Sequence, residues 1–228
     1  MTFLNTIING ILNMVFPVYC LSCETPGVDL CATCISEFPG AERETTKWIF
    51  PLFDYRHPPL KKALWLLKYK GKKRIAKIFA EIMHDKILEE LSELSIMENF
   101  RNPLLIPIPL SPKRYRERGY NQVELICKEL VKINSDTNLR HGVDTDFVLK
   151  INILLKIKET EHQAHIKDRR IRLKNLEGSY GVKKIEVLNN RNVILIDDIT
   201  TTGATLNEAR KILKQAGARK VIAFTVAH

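Results

Sequence analysis

Val193-Ile194-Leu195-Ile196-Asp197-Asp198-Ile199-Thr200-Thr201-Thr202-Gly203-Ala204-Thr205-Leu206 is the stretch whose reading decides the fold. Val193 to Ile196 is a run of apolar, mostly β-branched residues without polar alternation, which predicts a strand covered on both faces. Two adjacent acids follow it, then Thr200, Thr201, Thr202, Gly203, Ala204 and Thr205, and then a helix-forming run. A strand that ends in a polar loop opening a helix is the unit from which open α/β sheets build phosphate and sugar sites. Gly203 lets the backbone approach a ligand and adopt angles that a side chain would forbid. The threonine hydroxyls sit beside the free N–H groups of the first helical turn, which together with the helix dipole favour an anion. Carboxylates repel phosphate, so Asp197 and Asp198 need another partner. Sugar hydroxyls donating to them, or a hydrated magnesium ion, would serve. An anion cradle beside a diol reader is what a ribose 5-phosphate needs. Helix capping alone accounts for one acid and one threonine, and poorly for two acids and four threonines around a glycine.

Outside that stretch, length and composition set the bounds. The chain has 228 residues, enough for one substantial domain and a small appendage. Its 36 basic and 26 acidic residues leave a net charge of +10, which suits anionic ligands: nucleotide phosphates, pyrophosphate or nucleic acid. Met1 to Val18 is apolar but broken by Asn5, Asn9 and Asn13, lacks a basic start and is too short to span a bilayer. Phe3, Leu4, Ile7, Ile8, Ile11, Leu12, Val15 and Phe16 fall on one helical face, expected to dock on the rest of the protein, with binding to a membrane surface the alternative. These features predict a cytoplasmic protein.

Cys20-Leu21-Ser22-Cys23 and Cys31-Ala32-Thr33-Cys34 form two Cys-x-x-Cys knuckles separated by seven residues. Four thiolates at that spacing predict a tetrahedral zinc, with Pro26 and Gly27 turning the chain back on itself. With four cysteine ligands no coordination position stays open, so the zinc is structural. Two disulfides are the alternative, and a chain without a secretory signal argues against them. Cys127 lies in the apolar pattern Val123, Leu125, Ile126, Leu130 and reads as core.

The remaining elements follow from periodicity and punctuation. Trp48 to Tyr55 reads as a strand, Leu60 to Leu67 as a helix, and Arg74 to Leu94 as a long amphipathic helix. Between the helices lies Lys68-Tyr69-Lys70-Gly71-Lys72-Lys73-Arg74, either a solvated turn or a rim that faces phosphates or nucleic acid. Leu104 to Leu110 is a second buried strand, its later part loop because of Pro107 and Pro109. A basic loop bearing Lys113, Arg114, Arg116 and Arg118 leads into Gly119-Tyr120-Asn121-Gln122 and a helix to about Ile133. Phe147 to Ile157 reads as one strand or part of a hairpin. Lys158 to Asn175 is long, polar and basic. A short strand around Gly178 to Val182, a helix from Asn207 to Ala216 and a last buried strand from Val221 to Val226 complete the chain.

The Asp-Asp-x-x-Thr-Thr-Gly-x-Thr pattern resembles the loop with which type I phosphoribosyltransferases bind 5-phosphoribosyl 1-pyrophosphate (PRPP). That loop, the N-terminal knuckles, Lys68-Tyr69-x-Gly71, Arg118-Gly119-Tyr120-Asn121-Gln122 and the Gln163 to Asn175 run before Gly178-Ser179-Tyr180 together resemble the ComF family, bacterial phosphoribosyltransferase-like proteins linked to natural competence. The one irregularity is a spacing between Gln163 and Arg172 about one residue longer than the family pattern. The resemblance implies an α/β fold of the type I phosphoribosyltransferase kind, with a mainly parallel twisted sheet, over 46–228, and a helix plus zinc module over 1–45. It implies PRPP bound with magnesium by Asp197, Asp198 and Thr200 to Thr205, a pyrophosphate loop at Lys113, Arg114 and Arg118, and a flexible lid carrying Gln163, Arg169 and Arg172. It also implies a role with incoming single-stranded DNA and with proteins of the competence machinery. Lys68, Tyr69, Lys70, Lys72, Lys73 and Arg74 are the DNA-binding candidates. Two functions remain open at this stage: a DNA-handling protein that binds PRPP, and an active transferase acting on an unidentified nucleobase or amine.

Overall fold

The computed structural model describes residues 17–42, 46–141, 147–158 and 178–228. The amphipathic run before residue 17 and the lid residues Gln163, Arg169 and Arg172 lie outside the described residues. No helix among the described residues is long and apolar enough to cross a membrane.

Seven strands are described: β1 (Ile49–Phe53), β2 (Leu104–Pro107), β3 (Val148–Leu149), β4 (Leu154–Lys156), β5 (Tyr180–Val182), β6 (Asn192–Ile199) and β7 (Lys220–Ala227). The helices are α1 (Ala32–Ser36), α2 (Pro58–Tyr69), α3 (Lys73–Glu98), α4 (Pro112–Arg118), α5 (Gln122–His141) and α6 (Ala204–Gln215). Five strands form one parallel sheet in the order β1-β7-β6-β2-β3, while β4 and β5 pair antiparallel as a separate ribbon.

The unbroken apolar run of β6 has a simple cause. Ile194 and Ile196 pack with Phe50, Leu105, Ile222 and Phe224 against α2, α3 and α5. Val193 and Leu195 point the other way, into a cluster with Leu104, Ile106, Val221, α6 and the β4–β5 ribbon. Both faces of the sheet are therefore covered and neither tolerates a polar position. The long helix α3 contributes Ile75, Phe79, Met83 and Ile87, all fully buried. Truncating such a side chain as Phe79 to alanine costs about 3–5 kcal/mol. Cys20, Leu30, Cys34 and Phe38 belong to this same core, so the cysteine segment is seated on the α2–α3 side of the sheet.

Two departures from the sequence reading matter for the site. The strand does not stop at Ile196: β6 continues through both acids, and Asp197 pairs with Thr225 in the register of β7. The basic segment 112–118 is a helix rather than a loop. Ser111 caps it, accepting from the Arg114 N–H at 3.4 Å, Pro112 begins it, and Gly119 ends it at φ 75°. A serine cap, a proline in the first turn and a glycine after the last are signals that the density of charge obscured. The helix after it also runs past Ile133 to His141. Phe147 to Ile157 divides between two sheets, β3 pairing with β2 and β4 with β5.

Candidate functional site

β2 and β6 are neighbours in the sheet, and their onward connections diverge. β2 leads through α4 and α5 to β3 on one side, and β6 leads through α6 to β7 on the other. The carboxyl ends of two such strands form the crevice in which open α/β sheets bind ligands. A cleft of about 580 Å³ opens there. Its walls are Ile108 to Ser111 after β2, Arg114 and Arg118 from α4, Asp197, Asp198, Thr201 and Thr205 around the end of β6, and Lys156 and Tyr180 from the ribbon. The C-terminal half of α2 contributes Trp65, Lys68 and Tyr69.

Gly203 makes the turn from β6 into α6. Its φ is 70°, and a Cβ there would stand 3.3 Å from Asn207 Nδ2 and 3.4 Å from Ile49 Cδ1. Left-handed backbone and close neighbours both select glycine. The N-cap of the helix that follows is Gly203, which has no side chain to cap it, and the first turn of a helix carries a partial positive charge. Thr201 and Thr205 line the cleft, whereas Thr200 and Ala204 are buried beneath the turn, and the Thr200 N–H is already given to the Ala227 carbonyl at 2.9 Å. Thr201 and Thr205 are thus the threonines of this turn that reach the cleft, fewer than the full set the sequence offers.

The two acids are buried side by side and held differently. Asp197 Oδ1 accepts the backbone N–H of Asp198 at 2.8 Å. Burial, and then the charge of Asp198, push its carboxyl up to about 8. Asp198 Oδ2 accepts from Gln122 Nε2 at 2.6 Å and pairs with Lys68 Nζ at 3.0 Å. Gln122 in turn accepts from Arg118 at 2.9 Å, and Arg118 donates to the Tyr69 hydroxyl at 3.3 Å while lying over its ring. Across the cleft, burial and the neighbouring Arg114 pull the Lys156 ammonium down to about 8, where it sits over the Tyr180 ring. The site is a pair of acids ringed by Lys68, Arg114, Arg118 and Lys156.

The Arg118-Gly119-Tyr120-Asn121-Gln122 run now has a physical account. Arg118 and Gln122 brace the acids. The Tyr120 hydroxyl donates to the Leu67 carbonyl and accepts from the Gly71 N–H, fixing the turn after α2. Asn121 donates to the Ile108 carbonyl at 3.0 Å and accepts from the Val123 N–H at 3.0 Å, joining the end of β2 to the start of α5.

The basic run 68–74 is divided by the structure. Lys68, in a run that reads as either a solvated turn or a rim facing phosphates or nucleic acid, pairs with Asp198 at the cleft. Lys72 pairs with the buried Asp29 of the cysteine segment at 3.0 Å. Tyr69, Lys70, Lys73 and Arg74 face solvent. Among the pyrophosphate candidates, Arg114 and Arg118 line the cleft and Lys113 is exposed outside its lining. Sequence reasoning missed Gln122 and Lys156 as site residues. The one signal for the second is a lysine closing the otherwise apolar Leu154-Leu155-Lys156 strand.

The knuckles bring together Cys20, Cys23, Cys31 and Cys34, whose Sγ atoms all lie within 4.8 Å of one another. None is in a disulfide. Zinc–thiolate bonds of about 2.3 Å imply tetrahedral edges of about 3.8 Å, so the cluster matches a zinc ion in size. Its chemistry matches too. Thr25 pulls the Cys23 thiol down to about 6, while Cys34, despite a hydrogen bond with Ser22, is pushed up to about 12 by Cys23 and Cys31. Four cysteine side chains this close could hold a metal ion. Gly27, at φ 97°, turns the chain so that its N–H reaches the Val18 carbonyl at 2.7 Å. Cys127 is buried in the core, as its apolar setting predicts.

Comparison with known proteins agrees with this geometry. The phosphoribosyl transferase domain family matches residues 148–228, from β3 through the β6–α6 turn to the end of β7. The chain is 35% identical over 145 residues to Competence protein F of Haemophilus influenzae, covering 60% of this chain and 58% of that one. It is 30% identical over 159 residues to Competence protein ComFC of Streptococcus pneumoniae, covering 70% and 59%. To the DNA utilization protein YhgH of Shigella flexneri it is 26% identical over 192 residues, covering 84% and 74%. The matched region thus spans less than two thirds of the length of the two competence proteins. With a parallel sheet flanked by helices, a strand–Asp-Asp–Thr-rich turn at its switch point and a four-cysteine cluster at its N-terminal side, the chain is a phosphoribosyltransferase-like protein similar to the competence proteins F and ComFC.

Proposed function

We propose that the chain binds PRPP in the β2–β6 cleft and does so as a DNA-handling protein of natural competence, with its four-cysteine segment a small zinc-stabilised module built onto the domain. One observation carries the PRPP reading: two buried acids near the end of β6, Asp197 and Asp198, stand six and five residues before Gly203, the left-handed glycine that opens α6. The phosphate of PRPP sits on the N–H groups of Thr202 to Thr205 with the Thr201 and Thr205 hydroxyls. The ribose hydroxyls donate to Asp197 and Asp198, and the pyrophosphate lies toward Arg114, Arg118 and Lys156. A phosphate near two carboxylates is tolerable only because these cations surround them.

Burial, and after it the neighbouring Asp198, raise the carboxyl of Asp197. Two adjacent carboxyl groups are the oxygen donors a hard cation takes, so Asp197 and Asp198 would hold the magnesium that accompanies PRPP. That ion would neutralise pyrophosphate oxygens; the residues themselves orient the ribose and exclude water from its C1. The relatives named for competence and DNA utilization support the DNA half of the reading, as does the charge of +10.

Thermal unfolding tests the reading. PRPP with magnesium raises the melting temperature of the wild-type protein and leaves that of Asp197→Ala/Asp198→Ala unchanged. Pyrophosphate release across a panel of nucleobases and amines then decides whether the bound PRPP is consumed. A wild-type protein whose melting temperature ignores PRPP does not have this function.

A further inference from the structure

The outer face of α2 carries two large aromatic rings that the fold does not need. Its inner face, Leu60, Ala63, Leu64 and Leu67, is fully buried in the core. Trp65 and Tyr69, one helical turn apart, are 49% and 52% exposed, with ring centroids 6.0 Å apart and planes inclined at 43°. Both rings stand at the mouth of the cleft that contains Asp198. Cations flank them: Lys70 lies 5.5 Å from the centre of the Trp65 ring and Arg118 4.9 Å from that of Tyr69. Residues 58–74 hold seven basic side chains and no acidic one.

We propose that Trp65 and Tyr69 are a stacking platform for an unpaired nucleobase, with Lys61, Lys70 and Arg118 taking the phosphates on either side of it. Exposed aromatics interleaved with cations are how proteins hold single strands without reading their sequence, because every base offers a π-face. A duplex keeps its bases stacked inside and offers the platform only its terminal pairs. The acid-free surface also decides against a protein partner of mixed charge and for a polyanion. Arg118 gives the platform a fixed geometry, since its donation to the Tyr69 hydroxyl at 3.3 Å holds that ring in place. Because Arg118 also braces Gln122 and through it Asp198, a base on Tyr69 adjoins the cleft. The inference rests on the DNA half of the proposed function and shares Arg118 and the cleft mouth with its PRPP half.

The chain has two tryptophans, and Trp48 lies under Arg210 away from this face. In a full-length Trp48→Phe protein, Trp65 therefore reports alone. A short oligothymidylate quenches its emission, whereas an abasic oligomer of equal length and charge binds more weakly and leaves the emission unchanged. Trp65→Ala weakens oligothymidylate binding by about 5- to 150-fold, the range of one lost base stack, and Trp65→Phe restores part of it. Free adenine separates the sources of the base: quenching by the oligomer at far lower base concentration assigns the platform to a strand, and equal quenching assigns it to a diffusible base. Equal affinity of the two oligomers, or of Trp65→Ala and wild type, overturns the proposal. The PRPP thermal shift of Trp65→Ala is read in parallel. Its presence or absence judges the cleft and not the platform.

Discussion

Replacing Lys68 with methionine isolates the ion pair at the centre of the site. Lys68 Nζ stands 3.0 Å from Asp198 Oδ2, with the lysine side chain 17% and the aspartate 8% exposed. Removing one partner of a fully buried pair costs about 3–5 kcal/mol, because the remaining charge is left without compensation. Here Gln122 still donates to Asp198 at 2.6 Å and water reaches the lysine side, so we expect the lower part of that range or slightly less, about 2–3 kcal/mol. For a chain of this size that lowers the melting temperature by about 4–12 °C. Lys68 also attracts Asp197, whose carboxyl lies at about 8. Above that pH Asp197 is charged and the loss is largest; as the pH falls below it, Asp197 takes up a proton and the loss shrinks. Urea denaturation of the four members of a double-mutant cycle with Asp198→Asn measures the coupling directly. Lys68→Met should cost under ~1 kcal/mol once Asp198 is neutral, because no buried charge is then stranded. An equal loss in both backgrounds, or a loss below ~0.5 kcal/mol in the wild type, would refute the reasoning and return Lys68 to the solvated rim.

Further predictions concern the turn, the acids and the knuckles. Gly203→Ala places an L-residue at φ 70° against Asn207 and Ile49, which costs about 1–2 kcal/mol; a fall in melting temperature of roughly 2–8 °C checks it. The folded carboxyl of Asp197 lies above its unfolded value of 3.8, so the folded state holds the proton that the unfolded chain releases, and stability declines as pH rises from about 4 to about 8. Asp197→Asn removes that decline, and the variant should gain stability relative to wild type across the window by up to ~1.4 kcal/mol per pH unit; parallel curves in urea titrations would contradict it. Metal analysis should find about one zinc per chain. Cys20→Ser/Cys23→Ser should lose it together with several degrees of thermal stability, since Cys20, Leu30 and Cys34 are part of the main core.

The sheet was legible because its strands are short, apolar and bounded by punctuation, and the β6–α6 turn because two acids and four threonines around a glycine have few structural uses. The cysteine cluster was legible from spacing alone. Less legible was anything decided by long-range pairing. Nothing local in Lys68-Tyr69-Lys70-Gly71-Lys72-Lys73-Arg74 tells which lysine turns inward. Asp198, 130 residues away, selects Lys68, and Asp29 selects Lys72. Gln122 was visible as part of a motif but not as a donor to Asp198, a bond between residues 76 apart. Helix α4 was misread for a local reason: its caps were present, but four cations within six residues looked like a loop.

The most direct test is a calorimetric titration of the full-length protein with PRPP in the presence of magnesium, beside Asp197→Asn/Asp198→Asn. That variant keeps the size of both side chains, and a cooperative melt recorded beside the titration checks that it is folded with Lys68 unpaired. We predict one binding event per chain for the wild type and none for the variant. Binding that survives in the variant, or a wild-type protein that releases no heat and shows no competing displacement by pyrophosphate, would contradict a PRPP site at the end of β6.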